Sequence, residues 1–287
     1  MGIRYFLEVQ QKKIYGRDSF MLEVTDIRFS YSGRPVLNGL SFAVATGELL
    51  GVVGPNGSGK TTLLKLVTGV LSPDAGAVTL NGVGIIDLRS RERARQIAVV
   101  PQDPQLPEGF SVLDLILMGR NPYLGLFQWE SKFDLQVANS AMEYVSVTHL
   151  AGRKLDELSG GERQRVVVAM ALAQQAPVLV LDEPISNLDM SHSLGIMNVI
   201  RCVQGERKGV SVVAMHDLTL ASMFCDRLMM IAGGRCFVIG SPQEVVTADN
   251  IRQIYGASVV ILEHPKTGTP VVVPSSGPNM ARDCHQC

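Results

Sequence analysis

The sequence predicts an α/β fold that contains a parallel β-sheet. Three short apolar runs, at residues 47–53, 178–181 and 210–215, have the composition of strands buried on both faces. Segments of helical character separate these runs, and a glycine-rich turn joins the first run to a helix. The chain has 287 residues, of which 46% are hydrophobic, so it is long enough to bury a substantial core.

Further elements are expected on either side of these strands. Residues 1–20 show no clear periodicity, whereas residues 22–29 mostly alternate apolar with polar side chains, as a half-buried strand does. A helix is expected over 61–68, and mostly helical structure over 111–155. The stretch 265–287 is rich in glycine, proline and serine, and we expect it to fray.

Composition argues against several classes of protein. Lys and Arg total 26 and Asp and Glu 27, a balance that does not suit a strongly basic nucleic-acid binder. The mean hydropathy is +0.18, but the longest apolar stretch, 166–181, is interrupted and falls short of the roughly 18–20 residues of a spanning helix. The first 20 residues lack the apolar region of a secretory signal. Five scattered cysteines do not suggest a disulfide framework, so a reducing, cytosolic setting is expected.

A phosphate-binding loop is the strongest motif in the sequence. The segment GPNGSGKT at 54–61 fits the pattern G-x-x-x-x-G-K-[ST] between a buried strand and a helix. Its glycines let backbone N–H groups converge on an anion, with the Lys60 ammonium reaching phosphates and the Thr61 hydroxyl a magnesium ion. The residues expected at the nucleotide are Gly54, Pro55, Asn56, Gly57, Ser58, Gly59, Lys60, Thr61 and Thr62. The alternative, a glycine turn that binds nothing, does not explain why every fixed position is filled.

An acidic pair follows the strand at 178–181. Asp182 is expected to emerge at the carboxyl end of the strand, where α/β sheets place ligands, and to hold Mg²⁺ directly or through water. Glu183 is then the candidate general base that polarises an attacking water. The alternative is an acidic pair that only caps the strand.

A second helix start follows a serine and two glycines. Ser159 is a favourable N-cap for a helix over 162–173, and Gly160 and Gly161 leave its N–H groups open to an anion. From these residues alone, an ordinary capped helix is equally consistent.

Together these motifs resemble the ATP-binding cassette (ABC) ATPases. LSGGERQR lies between GPNGSGKTT and LVLDEP, as in that family. The resemblance implies a P-loop NTPase fold with a RecA-like core, an antiparallel β subdomain and an inserted α-helical subdomain. It divides the chain into an N-terminal extension (1–20), a nucleotide-binding domain (21–262) with its helical subdomain at about 103–172, and a C-terminal tail (263–287).

The resemblance also implies a dimer. Two cassettes pair head to tail in this family, so that Ser159, Gly160 and Gly161 would close on the γ-phosphate bound by the other copy. Residues 186–189 match the D-loop, which places Asp189 at the dimer seam.

Further roles within one copy are implied by matching positions. Gln102 fits the Q-loop residue that contacts Mg²⁺ or the attacking water, and His216 the switch histidine at the γ-phosphate. Tyr31 fits the aromatic residue that stacks on adenine. Outside this context His216 would more often be a structural histidine, and Tyr31 a packing residue.

Weaker elements resemble the ATPases of iron-chelate, haem and vitamin B12 importers: MGRNP at 118–122, with parts of 240–246, 254–256 and 270–274. They imply an ATP- and Mg²⁺-dependent subunit, peripheral to the cytoplasmic face of the cell membrane. Its partners would be a second copy, two polytopic permease subunits and, indirectly, a substrate-binding protein, with no nucleic acid. Molybdate or tungstate import, a non-transport ABC ATPase and a regulatory module without turnover remain alternatives.

Three lesser features complete the predictions. Ile185 departs from the small residue usual in the family and is expected to alter D-loop packing at most. The apolar side chains Leu106, Phe110, Leu113 and Leu117 would face the permease, or else pack in the helical subdomain. Cys284 and Cys287 have the spacing of half a metal site, but a terminus without a role is the simpler interpretation.

Overall fold

The computed structural model describes residues 21–125, 127–186, 188–207 and 209–275. The N-terminal extension, Asn187 of the D-loop and the Cys284–Cys287 pair lie outside these residues. No helix in the described ranges is both long and apolar enough to span a membrane.

A six-stranded sheet forms the centre of the molecule, in the order β10-β9-β3-β8-β7-β6. Its strands are β3 (Leu49–Val53), β6 (Ile97–Val100), β7 (Val178–Asp182), β8 (Val210–Ala214), β9 (Arg227–Ala232) and β10 (Arg235–Gly240). All neighbouring pairs are parallel except β9 with β10. The three predicted buried strands are confirmed as β3, β7 and β8. Because these three are adjacent, the segments that follow them meet at one edge of the sheet.

A four-stranded antiparallel sheet, in the order β2-β1-β4-β5, packs beside the first. It consists of β1 (Met21–Tyr31), β2 (Arg34–Ala45), β4 (Ala75–Leu80) and β5 (Val83–Gly84). The alternation predicted over 22–29 is confirmed, since Leu22, Val24 and Ile27 are buried. The two sheets share an apolar core, in which Leu22 and Ile27 join Leu50 and Val52 of β3.

Helices flank the sheets: α1 (Lys60–Val67), α2 (Ser90–Gln96), α3 (Val112–Met118), α4 (Lys132–Tyr144), α5 (Gly160–Ala173), α6 (Met190–Arg207), α7 (Leu218–Phe224), α8 (Pro242–Val245) and α9 (Ala248–Tyr255). The predicted helices at 61–68 and 162–173 are confirmed as α1 and α5. Within 111–155, α3 and α4 supply most of the predicted helical structure and pack on α5.

The expectation that the chain frays from residue 265 is wrong for residues 270–275. There β12 (Pro270–Pro274) pairs antiparallel with β11 (Val259–Glu263). The Val272 amide donates a hydrogen bond to the Thr219 hydroxyl on α7 at 3.0 Å, and Val272 packs against the main core. A run of β-branched residues therefore overrides the surrounding glycine and proline.

Candidate functional site

The glycine-rich loop leaves the fully buried β3 in a conformation that only glycine suits. Gly54 has φ 153°, and a Cβ atom there would lie 2.3 Å from the Ile231 carbonyl oxygen. Gly59 has φ 103°, and its Cβ atom would lie 2.7 Å from the Leu37 side chain. Close packing against β9 and β2 thus fixes both ends of the loop, and α1 begins at Lys60.

A pocket of about 510 Å³ opens above this loop. Seven loop residues line it: Asn56, Gly57, Ser58, Gly59, Lys60, Thr61 and Thr62. Tyr31, Gln102, Glu183 and His216 also line it, although they come from four separate parts of the chain, and Val36 of β2 completes the lining. The structure therefore brings together most of the residues that the sequence assigned to one nucleotide site.

Lys60 is held inside the loop. Its Nζ atom donates to the carbonyl oxygens of Gly54 at 2.8 Å and Pro55 at 3.2 Å. Burial lowers the pKa of Lys60, and the nearby carboxylates of Glu183 and Asp182 oppose that change. The Ser58 hydroxyl is buried without a hydrogen-bond partner in the described ranges. A buried ammonium and an unpaired hydroxyl are both suited to a phosphate oxygen.

Asp182 contacts Thr61, which lines the pocket, but Asp182 does not itself line it. The Thr61 hydroxyl donates to Asp182 Oδ1 at 3.3 Å. Burial is the main cause that raises the pKa of Asp182, and the hydrogen bond from Thr61 opposes it. A positive ion beside Asp182 would offset the free-energy cost of burying its ionised carboxylate. The hydroxyl, the carboxylate and the amide oxygen of Gln102 are hard oxygen donors, so the residues present fit Mg²⁺.

Glu183 is the most constrained side chain of the site. Its two carboxylate oxygens contact different partners: Oε1 meets Nε2 of His216, and Oε2 accepts a hydrogen bond from Gln102 Nε2 at 2.8 Å. The residue is 8% exposed. This arrangement orients a buried carboxylate beside the phosphate loop, which is the requirement for a general base acting on water.

The backbone of Glu183 is strained and firmly held. Its φ of 50° is in the left-handed region, which non-glycine residues rarely occupy. Its amide donates to the Ala214 carbonyl at 3.1 Å, and its carbonyl accepts from both the amide and the hydroxyl of Ser186. Such strain persists only where the surroundings over-determine the conformation.

The second anion-binding segment lies apart from this pocket. Ser159 caps α5 through a capping box with Glu162, whose pKa is lowered by hydrogen bonds from the Ser159 amide and hydroxyl. Ser159 and Gly160 are exposed, and neither they nor Gly161 line the pocket above the loop. Asp189 is also remote from it and caps α6 through His192. The structure therefore does not bring these four residues to the pocket above the glycine-rich loop.

Arg120 of the MGRNP segment is a buried structural centre, a role that the sequence interpretation missed. It is 3% exposed, forms an ion pair with Asp134 at 2.9 Å and donates to the Ala173 carbonyl at 2.8 Å. Its guanidinium also lies 4.2 Å from the centroid of the Tyr123 ring. Arg120 thus joins the ends of α3 and α5 to the start of α4. The sequence signal that points to it is an arginine directly after an apolar segment, with a proline two residues later.

The apolar residues that were candidates for permease contact differ in their exposure. Leu106, Leu113 and Leu117 pack against the core, whereas Phe110 is 41% exposed. Ile185 packs against the core and lines a second cavity of about 510 Å³ beside Glu183.

Comparison with known proteins places this geometry in context. The family model described as ABC transporter matches residues 37–186. The hemin import ATP-binding protein of Gloeobacter violaceus is 40% identical, with 88% of this chain and 94% of the relative covered. The ferric enterobactin transport ATP-binding protein of Escherichia coli is 35% identical, covering 86% of this chain and 92% of the relative.

Other similarities are partial or structural. The cobalamin import ATP-binding protein of Halobacterium salinarum is 40% identical over 88% of this chain, but the chain spans only 63% of that relative. Among solved structures, an inward-facing ABC transporter described as of metal-chelate type is 27% identical, with a TM-score of 0.77 over 89% of this chain and 97% of that one. An ATP-binding cassette in its ADP conformation is 25% identical, with a TM-score of 0.73 over 82% of this chain and 98% of that one.

Proposed function

Since the chain belongs to the ABC transporter family, we propose that it is the ATP-hydrolysing subunit of an importer for an iron chelate, haem or cobalamin. The observation that carries the ATPase proposal is the meeting of Lys60, Glu183 and His216 in one pocket. The cargo class rests on the names of the relatives, which import hemin, ferric enterobactin and cobalamin.

Binding of ATP is assigned first to the loop and Tyr31. The loop amides and Lys60 bind the phosphates, and Lys60 exchanges its bonds to the Gly54 and Pro55 carbonyls for phosphate oxygens. Tyr31 lines the pocket and is 44% exposed, so its ring is assigned to stacking on adenine. Thr61, Asp182 and Gln102 would hold Mg²⁺, which neutralises phosphate charge when bound.

Hydrolysis is assigned to Glu183 and its neighbours. The Glu183 carboxylate accepts a proton from water as the water oxygen bonds to the γ-phosphorus; the bond from that phosphorus to the β,γ-bridging oxygen breaks, and ADP and phosphate leave. Gln102 and His216 contact its two oxygens and so orient it, and His216 is assigned a second role, contact with the γ-phosphate. Gln102 and His216 both contact the Glu183 carboxylate. A γ-phosphate that binds either of them would therefore change the orientation of this carboxylate.

A second copy is proposed to complete the site. Ser159, Gly160 and Gly161 are open to solvent or partly so, and they are held rigidly by the capping box at the start of α5. They suit a γ-phosphate presented by another copy, paired head to tail. Asp189 would then lie at the seam. ATP favours the closed pair, and loss of the γ-phosphate favours opening.

The membrane partners are proposed to be two polytopic permease subunits, with a substrate-binding protein acting through them. The exposed Phe110 lies between Gln102 and α3 and is a candidate contact for the permease. Such binding would place the chain at the cytoplasmic face of the membrane.

Reconstitution tests this proposal. The chain is co-expressed with a candidate permease, purified from membranes and placed in vesicles. We expect ATP-dependent uptake of one of three probes: a ferric siderophore, haem or cobalamin. Recovery of the chain with ribosomes or nucleic acid, and not with the permease, would contradict the transporter assignment. Uptake of molybdate or tungstate alone would contradict the cargo class.

A further inference from the structure

A buried glutamine links the start of α5, where Ser159, Gly160 and Gly161 form what we call the signature segment, to the candidate catalytic carboxylate of Glu183. Gln164 is on the second turn of α5, five residues after the Ser159 cap, and is 7% exposed although Arg163 beside it is exposed. Its Nε2 atom donates to the Pro184 carbonyl oxygen at 2.9 Å. A buried amide used in this way is a specific contact, since leaving it unpaired would be costly.

The acceptor of this hydrogen bond adjoins the strained residue. Pro184 directly follows Glu183, whose backbone is in the left-handed region at φ 50°. On the other side, the Glu183 amide is bound to Ala214 of β8 at 3.1 Å. The peptide that bears the catalytic carboxylate is therefore held between the main sheet and α5. A shift of α5 along its axis would pull on the Pro184 carbonyl and alter the orientation of Glu183.

We propose that Gln164 is a positioning residue that transmits engagement of the signature segment to Glu183 of the same copy. This inference rests on the proposed function, because it requires that Ser159 and Gly161 bind the nucleotide of a second copy. When that nucleotide binds at the start of α5, the helix moves and Gln164 adjusts Glu183. Hydrolysis at one site of the dimer thus becomes dependent on nucleotide at the other, a coupling that acts through a contiguous physical contact.

The sharpest test is Gln164→Met in the full chain, which keeps the length of the side chain but removes its donor. We expect kcat to fall about tenfold or more, as misplacement of a reacting group does, and KM for ATP to stay within about twofold. We also expect the Hill coefficient for ATP to fall toward the non-cooperative value. A purely structural glutamine would lower stability without removing cooperativity.

Gln204 on α6 supplies a matched control. It is also buried, at 5% exposed, but neither amide atom has a hydrogen-bond partner in the described part of the chain. Gln204→Met should leave kcat, KM and the Hill coefficient unchanged. If Gln164→Met keeps the wild-type Hill coefficient and kcat, the inference about Gln164 is wrong, but the proposed function is not affected. A wild-type chain that does not hydrolyse ATP would overturn the proposed function as well.

A second variant keeps the test decisive if Gln164→Met does not fold. Gln164→Glu has the same shape, and its carboxyl group can donate to the Pro184 carbonyl only when protonated. Burial raises the pKa of a carboxyl group, so a larger fraction of the introduced group is protonated as the pH is lowered from about 8 to about 6. The ratio of the variant's kcat to the wild-type kcat should therefore rise as the pH is lowered over this range. A ratio independent of pH over that range would contradict the proposed hydrogen bond.

Discussion

The buried ion pair of Arg120 and Asp134 gives a quantitative prediction for the helical part of the molecule. Arg120→Met removes the guanidinium from a place where it is only 3% exposed and leaves Asp134 buried without its ion-pair partner. It also leaves the Ala173 carbonyl without this donor. Removing one partner of a buried pair costs about 3–5 kcal/mol. Asp134 keeps its bonds from the Ser131 amide and hydroxyl, so we expect a loss near the lower end, about 3 kcal/mol.

For a chain of 287 residues, with an unfolding entropy of about 2.1 cal/mol/K per residue, about 3 kcal/mol corresponds to a fall in Tm of roughly 5 °C. The pKa of Asp134 is lowered mainly by the Ser131 hydroxyl, with Arg120 contributing. A carboxylate with a lowered pKa stabilises the fold above its unfolded pKa and loses this contribution as pH falls through the folded pKa. The Tm difference between variant and wild type should therefore narrow in acid.

The assay is thermal unfolding of the full chain, followed by circular dichroism. The double variant Arg120→Met with Asp134→Leu is the control, because replacing both members of a buried pair by apolar residues is often neutral. It should regain part of the lost Tm, because Asp134→Leu also removes the acceptor of the Ser131 amide and hydroxyl at the start of α4. A single variant that unfolds within about 2 °C of wild type would refute the assignment of Arg120 as a structural centre.

Two further predictions concern the nucleotide site. Asp182→Asn should stabilise the nucleotide-free protein, because burial raises the pKa of Asp182 and so penalises its ionised form in the fold. The gain in Tm should be complete at pH values above the pKa of Asp182 in the folded protein, and it should disappear below its pKa in the unfolded chain, about 3.9. A gain in Tm that increases as the pH is lowered would contradict this reasoning. Gly54→Ala should cost at least about 2 kcal/mol in urea unfolding, because its Cβ atom would meet the Ile231 carbonyl oxygen at 2.3 Å. Gly57→Ala is its control, since φ is also positive there but nothing lies within 4 Å of the added atom; equal costs would show that the clash is unimportant.

The sequence predicted the fold class, and it predicted most of the residues that line the pocket above the glycine-rich loop, because the signals there are local. A glycine loop between a strand and a helix is recognisable in eight residues. Asp182 directly follows a buried strand, and the parallel order of β3, β8 and β7 then brings the three strand ends together. The strands and the helix starts were therefore predictable from patterns of short range.

Contacts between distant segments were not predictable in the same way. The bond from Gln164 to Pro184 joins residues 20 apart, and Arg120 reaches Ala173 across 53. No periodicity records such pairings, which depend on how helices pack. The strand β12 was not predicted for a related reason. Its three consecutive valines favour a strand, but glycine and proline in the preceding turn and at the ends of the strand indicate a loop.

The measurement that tests the central claim most directly compares ATP hydrolysis and ATP binding by Glu183→Gln. The amide keeps the shape of the side chain and its contact with Gln102 but cannot accept the proton from water. We expect kcat to fall by about 10²–10⁴, as removal of a general base does, while the Kd for ATP stays close to that of the wild type. Undiminished hydrolysis by Glu183→Gln would show that Glu183 is not the base and would contradict the account.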